Sequence, residues 1–579
     1  MSVARASSVP QVALKLPRGR ARLLLFGVMV GFAIMLGRAF FLQGMHDDFL
    51  QARGEARFTR VIEIPANRGV ITDRDGEPLA ISTPVESVAA NRGEDVKMTD
   101  AQAAALAKLL ETDVVGIRKR LAEAGRDFVF LKRHMPPDQA ARVLQLKIPG
   151  LVLQREYRRY YPAGEVAAHM VGFNNVDDQG QEGIELAYQE WLAGKPGSRR
   201  VLRDKRGQII EDIESLRVPQ QGRDLALSID RKIQYLAYRE LKAAVAQHKA
   251  KAGSAVVIDV QTGEVLALAN LPAFNPNNRG NLTGQQTRNR AIIDLYEPGS
   301  TMKAFTIAAG LEAGIVRPET MINTAPGSMT IGPATIRDVS PLGTLNVIQV
   351  LQKSSNVGSA KIALQMPPAQ LWQAFSDAGF GLPTKVGFPG EGHGRLRAPK
   401  TWRPIEQATM SYGHGLSVTL LQIARAYSIF ATDGEMRPIS IVRVDTPPPA
   451  TRVISAETAR QVREMLELAT GPGGTAPRAQ VAGYRVGGKT GTARKIENGV
   501  YVSRYVASFI GFAPASAPRV IIAVMIDEPS NGQYYGGQVA APLFSQIAAG
   551  ALRMLGVAHD APVNNIVLPP PGAEVKEEV

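Results

Sequence analysis

The chain has 579 residues, of which 45% are hydrophobic and 21% charged, and its formal net charge at pH 7 is +14. This length allows several domains, and the absence of cysteine excludes disulfides, thiolate metal sites and cysteine nucleophiles. The basic residues are spread along the chain and form no nucleic-acid-binding module, so we expect no nucleic-acid partner.

The first predicted element is a transmembrane helix at residues 23–42. This apolar run is interrupted only by Arg38 and is long enough to cross the hydrocarbon core of a bilayer. Basic residues precede the run whereas Asp47 and Asp48 follow it, which places residues 1–22 in the cytoplasm. A cleaved signal peptide is the competing interpretation, but no convincing small-x-small cleavage site follows the run. We therefore predict a single-pass membrane protein.

Residues 43–224 form a first extracytoplasmic region, which we interpret as a non-catalytic pedestal. Asp75-Gly76 lies between two apolar segments and predicts a β-hairpin. A second segment predicts a helical stretch near Asp100 to Leu121. The region is rich in charge but offers no nucleophile with a partner residue, which favours a structural or docking role over an independent enzyme.

Residues 225–560 predict a central sheet with helices on its faces. Asp230 is a candidate helix cap after a short strand at residues 225–229. Apolar segments on either side of the turn at residues 261–263 predict a strand pair. Further strands are predicted at Ala507–Phe512 and Val520–Ile526, and helices at Leu416–Ala431 and Pro542–Leu555. The proline-rich and then acidic segment at residues 561–579 predicts a disordered tail.

Ser300 and Lys303 form the first chemical motif of this second region. The pattern after Glu297-Pro298-Gly299 predicts a helix, on which residues i and i+3 share one face. A neutral lysine can take the proton of a neighbouring hydroxyl, and desolvation, nearby cations and a helix start all lower the pKa of a lysine. On its own this motif is more often an exposed lysine near a helix start, so its interpretation depends on the later motifs.

Two later segments complete the pattern. In Ser354-Ser355-Asn356, a hydroxyl and an amide two residues apart can point into one cleft from a loop. Lys489-Thr490-Gly491-Thr492 offers a cation and two hydroxyls for a carboxylate, and its glycine would allow a ligand backbone to approach closely. The three motifs in this order predict acyl transfer by a serine that a lysine activates, on a donor that ends in a free carboxylate.

Other chemistries fit the sequence less well. Gly483, Gly488, Lys489 and Thr490 match the phosphate-binding pattern G-x-x-x-x-G-K-[ST], but that motif needs a helix after it, and turn residues follow instead. The seven histidines show no zinc-ligand spacing, so we predict no metal and no other cofactor. We interpret His414 as a loop residue at the edge of the cleft.

With the membrane anchor and the long first region, these motifs resemble a class B penicillin-binding protein, a peptidoglycan D,D-transpeptidase. The segment from Arg68 to Ala80 is similar to the dimerisation signature of the family. Segments at residues 161–165, 183–185, 296–300 and 536–544 resemble its division-specific, septal branch. The resemblance implies an α/β (α+β) penicillin-binding transpeptidase fold: a central antiparallel sheet flanked by helices, an elongated N-terminal pedestal domain and one N-terminal transmembrane helix.

The resemblance also implies a role for each motif residue. Ser300 would attack the penultimate D-alanine carbonyl of a peptidoglycan stem pentapeptide, Lys303 would take its proton, and Ser354 would protonate the departing D-alanine. Asn356 would hold the substrate amide. The donor carboxylate would bind Lys489, Thr490 and Thr492, with Gly491 between them, and the backbone N–H groups of Ser300 and Thr492 would hold the oxyanion.

The same resemblance implies partners and a location. β-Lactams would be covalent inhibitors, and other division proteins, including a glycosyltransferase, would be partners. The protein would lie in the cell inner membrane with a periplasmic catalytic domain.

Several other functions share part of this pattern. A bifunctional class A synthase would need a glycosyltransferase pattern, which the first region does not contain. A D,D-carboxypeptidase or a β-lactam-hydrolysing relative shares the three motifs but has no need of a pedestal. A catalytically weak divisome scaffold would have no use for the intact motif residues. We therefore favour a septal transpeptidase.

Overall fold

The computed structural model describes residues 17–42, 59–91, 96–122, 128–203 and 209–570. The predicted cytoplasmic segment before residue 17 and the predicted tail after residue 570 lie outside the described residues. The chain divides into two compact units made of discontinuous segments. The first contains Met1–Pro65, Glu86–Gln154 and Pro196–Pro219, and the second contains Ala66–Val85, Arg155–Lys195 and Gln220–Val579. The second unit thus includes residues 66–85, 155–195 and 220–224, which the sequence assigned to the pedestal, and the boundary at residue 224 stays a prediction.

The apolar run near the N-terminus forms one helix, Arg18–Phe40. Within the described part of the chain, it is the one helix long and apolar enough to cross a membrane, and none of its residues is buried. It begins earlier than the predicted residue 23, directly after Pro17. Arginine is a good helix former, so the basic residues before the apolar run continue the helix.

The first compact unit contains a three-stranded antiparallel sheet in the order Thr59–Ile64, Gly197–Arg203 and Ile209–Arg217. Elsewhere in this unit, residues 86–91 of the strand Pro78–Asn91 pair with the strand Phe128–Met135. The helices of the unit share an apolar core with these strands and span Asp100–Leu109, Val114–Ala122 and Pro137–Gln145.

The helical stretch predicted near Asp100 to Leu121 is confirmed, and the structure divides it into two helices, Asp100–Leu109 and Val114–Ala122. The side chain of Asp113 accepts a hydrogen bond from the backbone N–H of Gly116, which starts a new helical turn. Glu111, with φ of 51°, ends the preceding helix.

In the second unit, the hairpin predicted around Asp75-Gly76 is confirmed, because Ile71 pairs with Ala80 in antiparallel strands. A short strand, Leu225–Ala226, pairs in parallel with Ile71–Thr72. Further elements of the chain between residues 151 and 192 are the strands Leu151–Tyr160, Phe173–Asn174 and Gly180–Glu182, the helices Ala168–Val171, Gly183–Ala187 and Gln189–Leu192, and the 3-10 turn Gly164–Val166.

A buried ionic triad ties these segments of the second unit together. Arg68 Nε lies 2.6 Å and Arg159 Nε 2.7 Å from the two carboxylate oxygens of Glu185, and all three side chains are fully buried. Because a buried charge is costly without partners, the two arginines and the carboxylate depend on one another.

A five-stranded antiparallel sheet forms the centre of the second unit, as predicted. We label its strands β1 (Ala252–Asp259), β2 (Val265–Leu271), β3 (Gly487–Glu497), β4 (Val500–Ala513) and β5 (Val520–Asp527), and their order is β2-β1-β5-β4-β3. Every residue of β1, β2 and β5 is buried. Strands with both faces covered appear as continuous apolar runs, which explains why the sequence revealed them.

Successive residues of the central strands point to two different cores. On β5, Ile522 and Val524 belong to one apolar cluster, whereas Ile521 and Ala523 belong to the other. This is the alternation of side chains that a β-strand imposes. The labelled helices that accompany the sheet are α1 (Arg231–Gln247), α2 (Lys303–Glu312), α3 (Asn356–Ala363), α4 (Leu420–Ala431), α5 (Ala456–Thr470) and α6 (Gly536–Met554).

Helices cover both faces of the sheet. Residues of α1 and α6 enter the first cluster and residues of α2 and α4 enter the second. Asp230 caps α1 as predicted, accepting hydrogen bonds from two backbone N–H groups of its first turn. The remaining elements of this region are the helices Gly284–Thr287, Arg290–Ile293, Val347–Gln352, Pro368–Asp377 and Pro404–Met410, the 3-10 turns Gly299–Met302, Pro399–Thr401 and Pro477–Ala479, and the strands Met321–Asn323, Ser328–Ile331, Ala334–Arg337, Thr344–Asn346, Glu435–Met436 and Thr451–Arg452.

The start of the predicted disordered tail is bound to the second unit. The side-chain amide of Asn565 donates to the carbonyl of Tyr484 at 2.9 Å, and the backbone N–H of Val567 donates to the side chain of Gln480 at 2.8 Å. The tail prediction is therefore wrong for this part of residues 561–570, because the polar backbone there finds partners that composition alone does not show.

Candidate active site

Ser300 lies in the 3-10 turn Gly299–Met302, which leads directly into α2. The predicted helix at this point is thus confirmed, with a tighter first turn. Ser300 is 6% exposed, whereas Lys303, the first residue of α2, is fully buried. The lysine is therefore not the exposed surface residue that an isolated Ser-x-x-Lys motif suggests.

The side-chain nitrogen of Lys303 contacts three oxygen atoms. Its Nζ lies 2.8 Å from Ser300 Oγ, 3.0 Å from Ser354 Oγ and 2.6 Å from the Ser354 carbonyl oxygen. All three distances are within the range of hydrogen bonds. The structure therefore places the serine and the lysine of the first motif and the first serine of the second motif in direct contact.

Ser354 occupies an unusual backbone conformation. Its φ is +61°, in the left-handed region that few residues other than glycine adopt. Ser354 lies between the helix Val347–Gln352 and α3. Its conformation directs both its carbonyl and its hydroxyl toward Lys303. Strained residues of this kind are often found at functional sites.

The rest of the second motif begins a helix rather than lying in a loop. Ser355 is the N-cap of α3 and Asn356 is its first residue. Asp338 accepts hydrogen bonds from the hydroxyl of Ser355 and from the backbone N–H of Asn356, both at 2.6 Å. The side-chain amide of Asn356 donates to the carbonyl of Arg337 at 3.2 Å. The end of the strand Ala334–Arg337 thus fixes the orientation of this motif.

The third motif lies on β3 and is buried with its cation. Lys489 Nζ lies 3.0 Å from Thr490 Oγ1 and 3.3 Å from Thr475 Oγ1, and the two threonine hydroxyls are 3.0 Å apart. Thr492 Oγ1 accepts a hydrogen bond from the backbone N–H of Gly536, the first residue of α6, at 2.9 Å. The hydroxyls are therefore held by the protein itself. A strand at this position does not fit a phosphate-binding loop, which requires a helix.

Glycines bring the first and third motifs together. A Cβ atom at Gly491 would lie 2.7 Å from the carbonyl oxygen of Pro298 and 2.6 Å from Ser508 Oγ. A Cβ atom at Gly299 would lie 3.2 Å from the carbonyl oxygen of Thr492. A side chain at position 491 would therefore collide with other residues of the protein. The backbone that carries Ser300 runs directly beside the backbone that carries Thr492.

His414 and two further residues form a polar cluster next to this site. The ring of His414 lies 6.0 Å from that of Tyr501. The hydroxyl of Tyr501 donates to the Glu297 carboxylate at 3.0 Å, and the backbone N–H of Gly415 donates to the same carboxylate at 2.8 Å. Burial raises the pKa of Glu297 despite these hydrogen bonds.

The pKa of His414 is lowered to about 4, first by burial and then by the positive charges of Lys303 and Arg494. His414 is therefore neutral near pH 7. It lies in the loop after the helix Pro404–Met410, as predicted, and its place at the edge of the cleft stays a prediction.

Sequence patterns missed two residues that contact the motifs. Thr475 shares hydrogen bonds with Lys489 and Thr490, and Asp338 orients Ser355 and Asn356. Each is a single polar residue outside any motif, so no sequence spacing identified it.

A hydroxyl, an amine and a second hydroxyl in contact can move a proton between them. The buried Lys489 adds a second amine on the neighbouring strand. This arrangement can activate a serine and hold an anionic substrate group without a metal ligand.

Two domain-family models match separate parts of this chain. Residues 253–549 match the penicillin-binding protein transpeptidase domain, and residues 63–227 match the penicillin-binding protein dimerisation domain.

Curated relatives are similar over nearly the whole chain. The chain is 43% identical over 549 residues to the probable peptidoglycan D,D-transpeptidase PenA of Neisseria gonorrhoeae, covering 94% of each chain. It is 44% identical over 541 residues to the peptidoglycan D,D-transpeptidase FtsI of Escherichia coli K12, covering 92% of this chain and 91% of that protein.

Solved structures agree with this relationship. The transpeptidase domain of penicillin-binding protein 3 from Burkholderia pseudomallei is 50% identical, with a TM-score of 0.54, and the match covers 58% of this chain and 98% of that one. A peptidoglycan synthetase from Bifidobacterium adolescentis is 25% identical, with a TM-score of 0.70, covering 88% and 99%. Both domain families and the full-length relatives lead to one conclusion: this chain belongs to the class B penicillin-binding proteins, in the division-specific branch of that family.

Proposed function

We propose that this protein is the peptidoglycan D,D-transpeptidase that cross-links stem peptides at the division septum through an acyl-enzyme on Ser300. The names of the relatives support the activity, and the observation that carries the site assignment is the contact of the buried Lys303 with both Ser300 and Ser354. A buried amine between two hydroxyls is suited to activate one of them and to return the proton through the other.

In the proposed acylation, Ser300 Oγ attacks the carbonyl carbon of the penultimate D-alanine, and its proton passes to Lys303 Nζ. The resulting oxyanion is held by the backbone N–H groups of Ser300 and Thr492. Ser354 then donates its proton to the nitrogen of the terminal D-alanine, as the peptide bond breaks, and is reprotonated from Lys303. The close approach of Gly299 to Thr492 supports the pairing of these two N–H groups.

In the proposed second half, the amino group of a neighbouring stem peptide attacks the acyl-enzyme. The attacking nitrogen loses a proton toward Ser354 and Lys303, the new amide forms, and Ser300 recovers its proton as it leaves. The same three side chains thus serve both directions of proton transfer.

The remaining motif residues are proposed to bind the donor. Lys489, Thr490 and Thr492 form the subsite of the donor carboxylate, with Gly491 allowing β3 to pack against the turn that carries Ser300. Asn356, which Asp338 and Arg337 orient at the start of α3, holds the substrate amide. β-Lactams carry a carboxylate and a reactive amide in a similar arrangement, and we expect them to acylate Ser300.

The proposed location follows from the N-terminal helix. Arg18–Phe40 would anchor the protein in the inner membrane with residues 1–22 in the cytoplasm and the catalytic domain in the periplasm. Residues 43–224 are proposed as the pedestal and residues 225–560 as the transpeptidase domain. The proposed partners are other division proteins, among them a glycosyltransferase that makes the glycan strands.

Labelling with a fluorescent penicillin tests this assignment. The parent protein should form one covalent adduct on Ser300, identified by peptide mass spectrometry. Ser300→Ala should form none. Lys303→Met should slow acylation by about 10²- to 10⁴-fold, the range for loss of a general base, while keeping its thermal unfolding transition. Labelling of Ser300→Ala at the parent rate would remove Ser300 from the role of nucleophile.

A product assay separates transfer from the alternative of hydrolysis. With a stem pentapeptide and an amine acceptor, a transpeptidase releases D-alanine and forms the cross-linked peptide, whereas a D,D-carboxypeptidase gives only the shortened peptide. D-Alanine release without cross-link at any acceptor concentration would favour the carboxypeptidase.

A further inference from the structure

Lys353 connects the two sides of the site by a contact that the proposed mechanism does not use. It precedes Ser354 in the chain, and its backbone ends the helix Val347–Gln352. Its Nζ donates to the carbonyl oxygen of Gly473 at 2.8 Å. The neighbouring Gln352 side chain donates to the carbonyl of Pro472 at 3.3 Å. Two consecutive side chains thus bind two consecutive carbonyls.

The carbonyls belong to a short segment, residues 471–475, which we call the glycine loop. The loop follows α5 and is tightly folded: a Cβ atom at Gly474 would lie 2.2 Å from the carbonyl oxygen of Ala469. It ends at Thr475, which is buried and lies 3.3 Å from Lys489 Nζ and 3.0 Å from Thr490 Oγ1. The position of the glycine loop therefore sets the position of the Thr475 hydroxyl, which contacts Lys489 and Thr490 of the third motif.

At the other side of the Lys353 contact, the next residue in the chain is Ser354, which contacts Lys303. The carbonyl and hydroxyl of Ser354 are both within hydrogen-bond distance of Lys303 Nζ. We infer that Lys353 is a positioning residue for acyl transfer, holding the Ser354 turn in register with the glycine loop and so with the Lys489 subsite. This inference rests on the proposed roles of Ser300 and Lys303.

Physical chemistry favours a lysine for this purpose. A hydrogen bond from an ammonium group to a carbonyl is charge-assisted and stronger than one between neutral groups. Small displacements of reacting groups can slow a reaction by about 100-fold. Loss of the Lys353 contact should therefore lower the acylation rate more than it lowers the stability of the fold.

The experiment uses the absence of cysteine from the natural chain. In Lys353→Cys, the introduced thiol is the only one in the protein, and bromoethylamine converts it into an aminoethyl thioether with an ammonium group at nearly the lysine position. We expect the maximal rate of penicillin acylation of Lys353→Cys to be about tenfold below that of the parent. Aminoethylation should restore at least half of the parent rate, and the thermal unfolding temperature should remain that of the parent.

Lys361→Cys is the matched control. Lys361 also donates to a backbone carbonyl, that of Asn323 at 2.6 Å, but it lies in the last turn of α3 and contacts none of the three motifs. Its cysteine variant should acylate at the parent rate before and after aminoethylation.

Three results would overturn the inference: a Lys353→Cys rate within about twofold of the parent, a loss that aminoethylation does not reverse, or an equal loss in Lys361→Cys. Failure of the proposed function is distinguishable, because penicillin would then label the Ser300→Ala variant.

Discussion

The three oxygen neighbours of Lys303 are not equivalent. The carbonyl of Ser354 can only accept a hydrogen bond, whereas the hydroxyls of Ser300 and Ser354 can each donate or accept. The carbonyl therefore fixes one N–H of the amine and leaves the rest of the group to exchange protons with the two hydroxyls. In the proposed mechanism, proton transfer then needs rotation of hydrogen atoms but no movement of heavy atoms.

At the same scale, His414 should give the protein a sensitivity to acid. Its folded pKa of about 4 is below the value near 6.5 of an unfolded chain. The unfolded state therefore takes up a proton first, so this contribution to stability is complete above about pH 6.5 and is lost as the pH falls toward 4. We expect His414→Gln to lose less unfolding free energy than the parent in this window, by on the order of 2 kcal/mol. Urea unfolding at several pH values measures the difference, and parallel curves for the two proteins would contradict it.

Glu185 should be far more important for stability than a surface carboxylate. In Glu185→Gln, the buried Arg68 and Arg159 keep their charges and lose their counter-ion. We expect a loss of about 3–5 kcal/mol of unfolding free energy. Glu214, which pairs with Arg200 at the surface, provides the control, and Glu214→Gln should cost less than about 1 kcal/mol. Chemical denaturation compares them, and equal losses would mean that burial of the triad has no special effect.

At the scale of elements, the turn that carries Ser300 is held from two directions. β3 lies against it at Gly491, and the loop after the helix Pro404–Met410 lies against it at Gly413. A Cβ atom at Gly413 would lie 2.2 Å from the carbonyl oxygen of Gly299, closer than any side chain can approach. The position of the nucleophile is therefore determined by contacts between backbones.

Gly413→Ala should accordingly damage both stability and acylation. Gly413 has φ of +89°, and its new methyl group would displace the turn that carries Ser300. Gly499→Ala separates the two causes, because Gly499 has φ of +81° but no atom within 4 Å of the added Cβ. This control should cost about 1–2 kcal/mol of stability for its backbone conformation alone and acylate normally. Penicillin acylation rates test the difference, and normal acylation by Gly413→Ala would show that the turn tolerates the displacement.

The sequence predicted elements well where chemistry or burial restricts the choice of residues. β1, β2 and β5 are mostly apolar because both their faces are covered, with Ser254 and Asn270 as buried polar exceptions that bond to each other. Asp230 was identified because a capped helix needs such a residue. The prediction for α6 began at Pro542, whereas the helix begins at Gly536.

The start of α6 was missed because its first two residues are glycines, which usually disfavour a helix. A Cβ atom at Gly536 would lie 2.6 Å from the carbonyl oxygen of Ser508, so the glycine allows the helix to pack against β4. For the site, the residue types and their order predicted the three motifs. The left-handed conformation of Ser354 and the contact of Thr475 with Lys489 depend on tertiary structure, and no local pattern reports them.

At the scale of the whole molecule, the second compact unit is assembled from three stretches of chain. Its apolar cluster includes Ile71 and Ile184 as well as Phe305 of α2 and Ile521 of β5. The contacts that surround the catalytic sheet therefore extend into the part of the chain that matches the dimerisation family. Sequence patterns identify these segments separately and do not show that they share one core.

The N-terminal helix, by contrast, should be dispensable for chemistry. None of the residues of Arg18–Phe40 is buried, so their removal exposes no core. We expect a chain of residues 43–579 to be soluble without detergent and to react with penicillin at the rate of the full chain in detergent. Size-exclusion chromatography and acylation kinetics measure both properties. An insoluble or unreactive product would mean that the residues before 43 are needed for folding.

The complete burial of β1, β2 and β5 limits how this protein can evolve under antibiotic pressure. A substitution in the middle of these strands alters packing in whichever of the two cores its side chain enters, and the resulting loss of stability would remove the proposed reaction together with drug susceptibility. Variants that discriminate between drug and natural substrate must therefore arise at the rim: in the segments around His414 and Gly473, and toward the exposed end of β3. Resistance surveys should find tolerated changes concentrated there and a sheet interior that hardly varies.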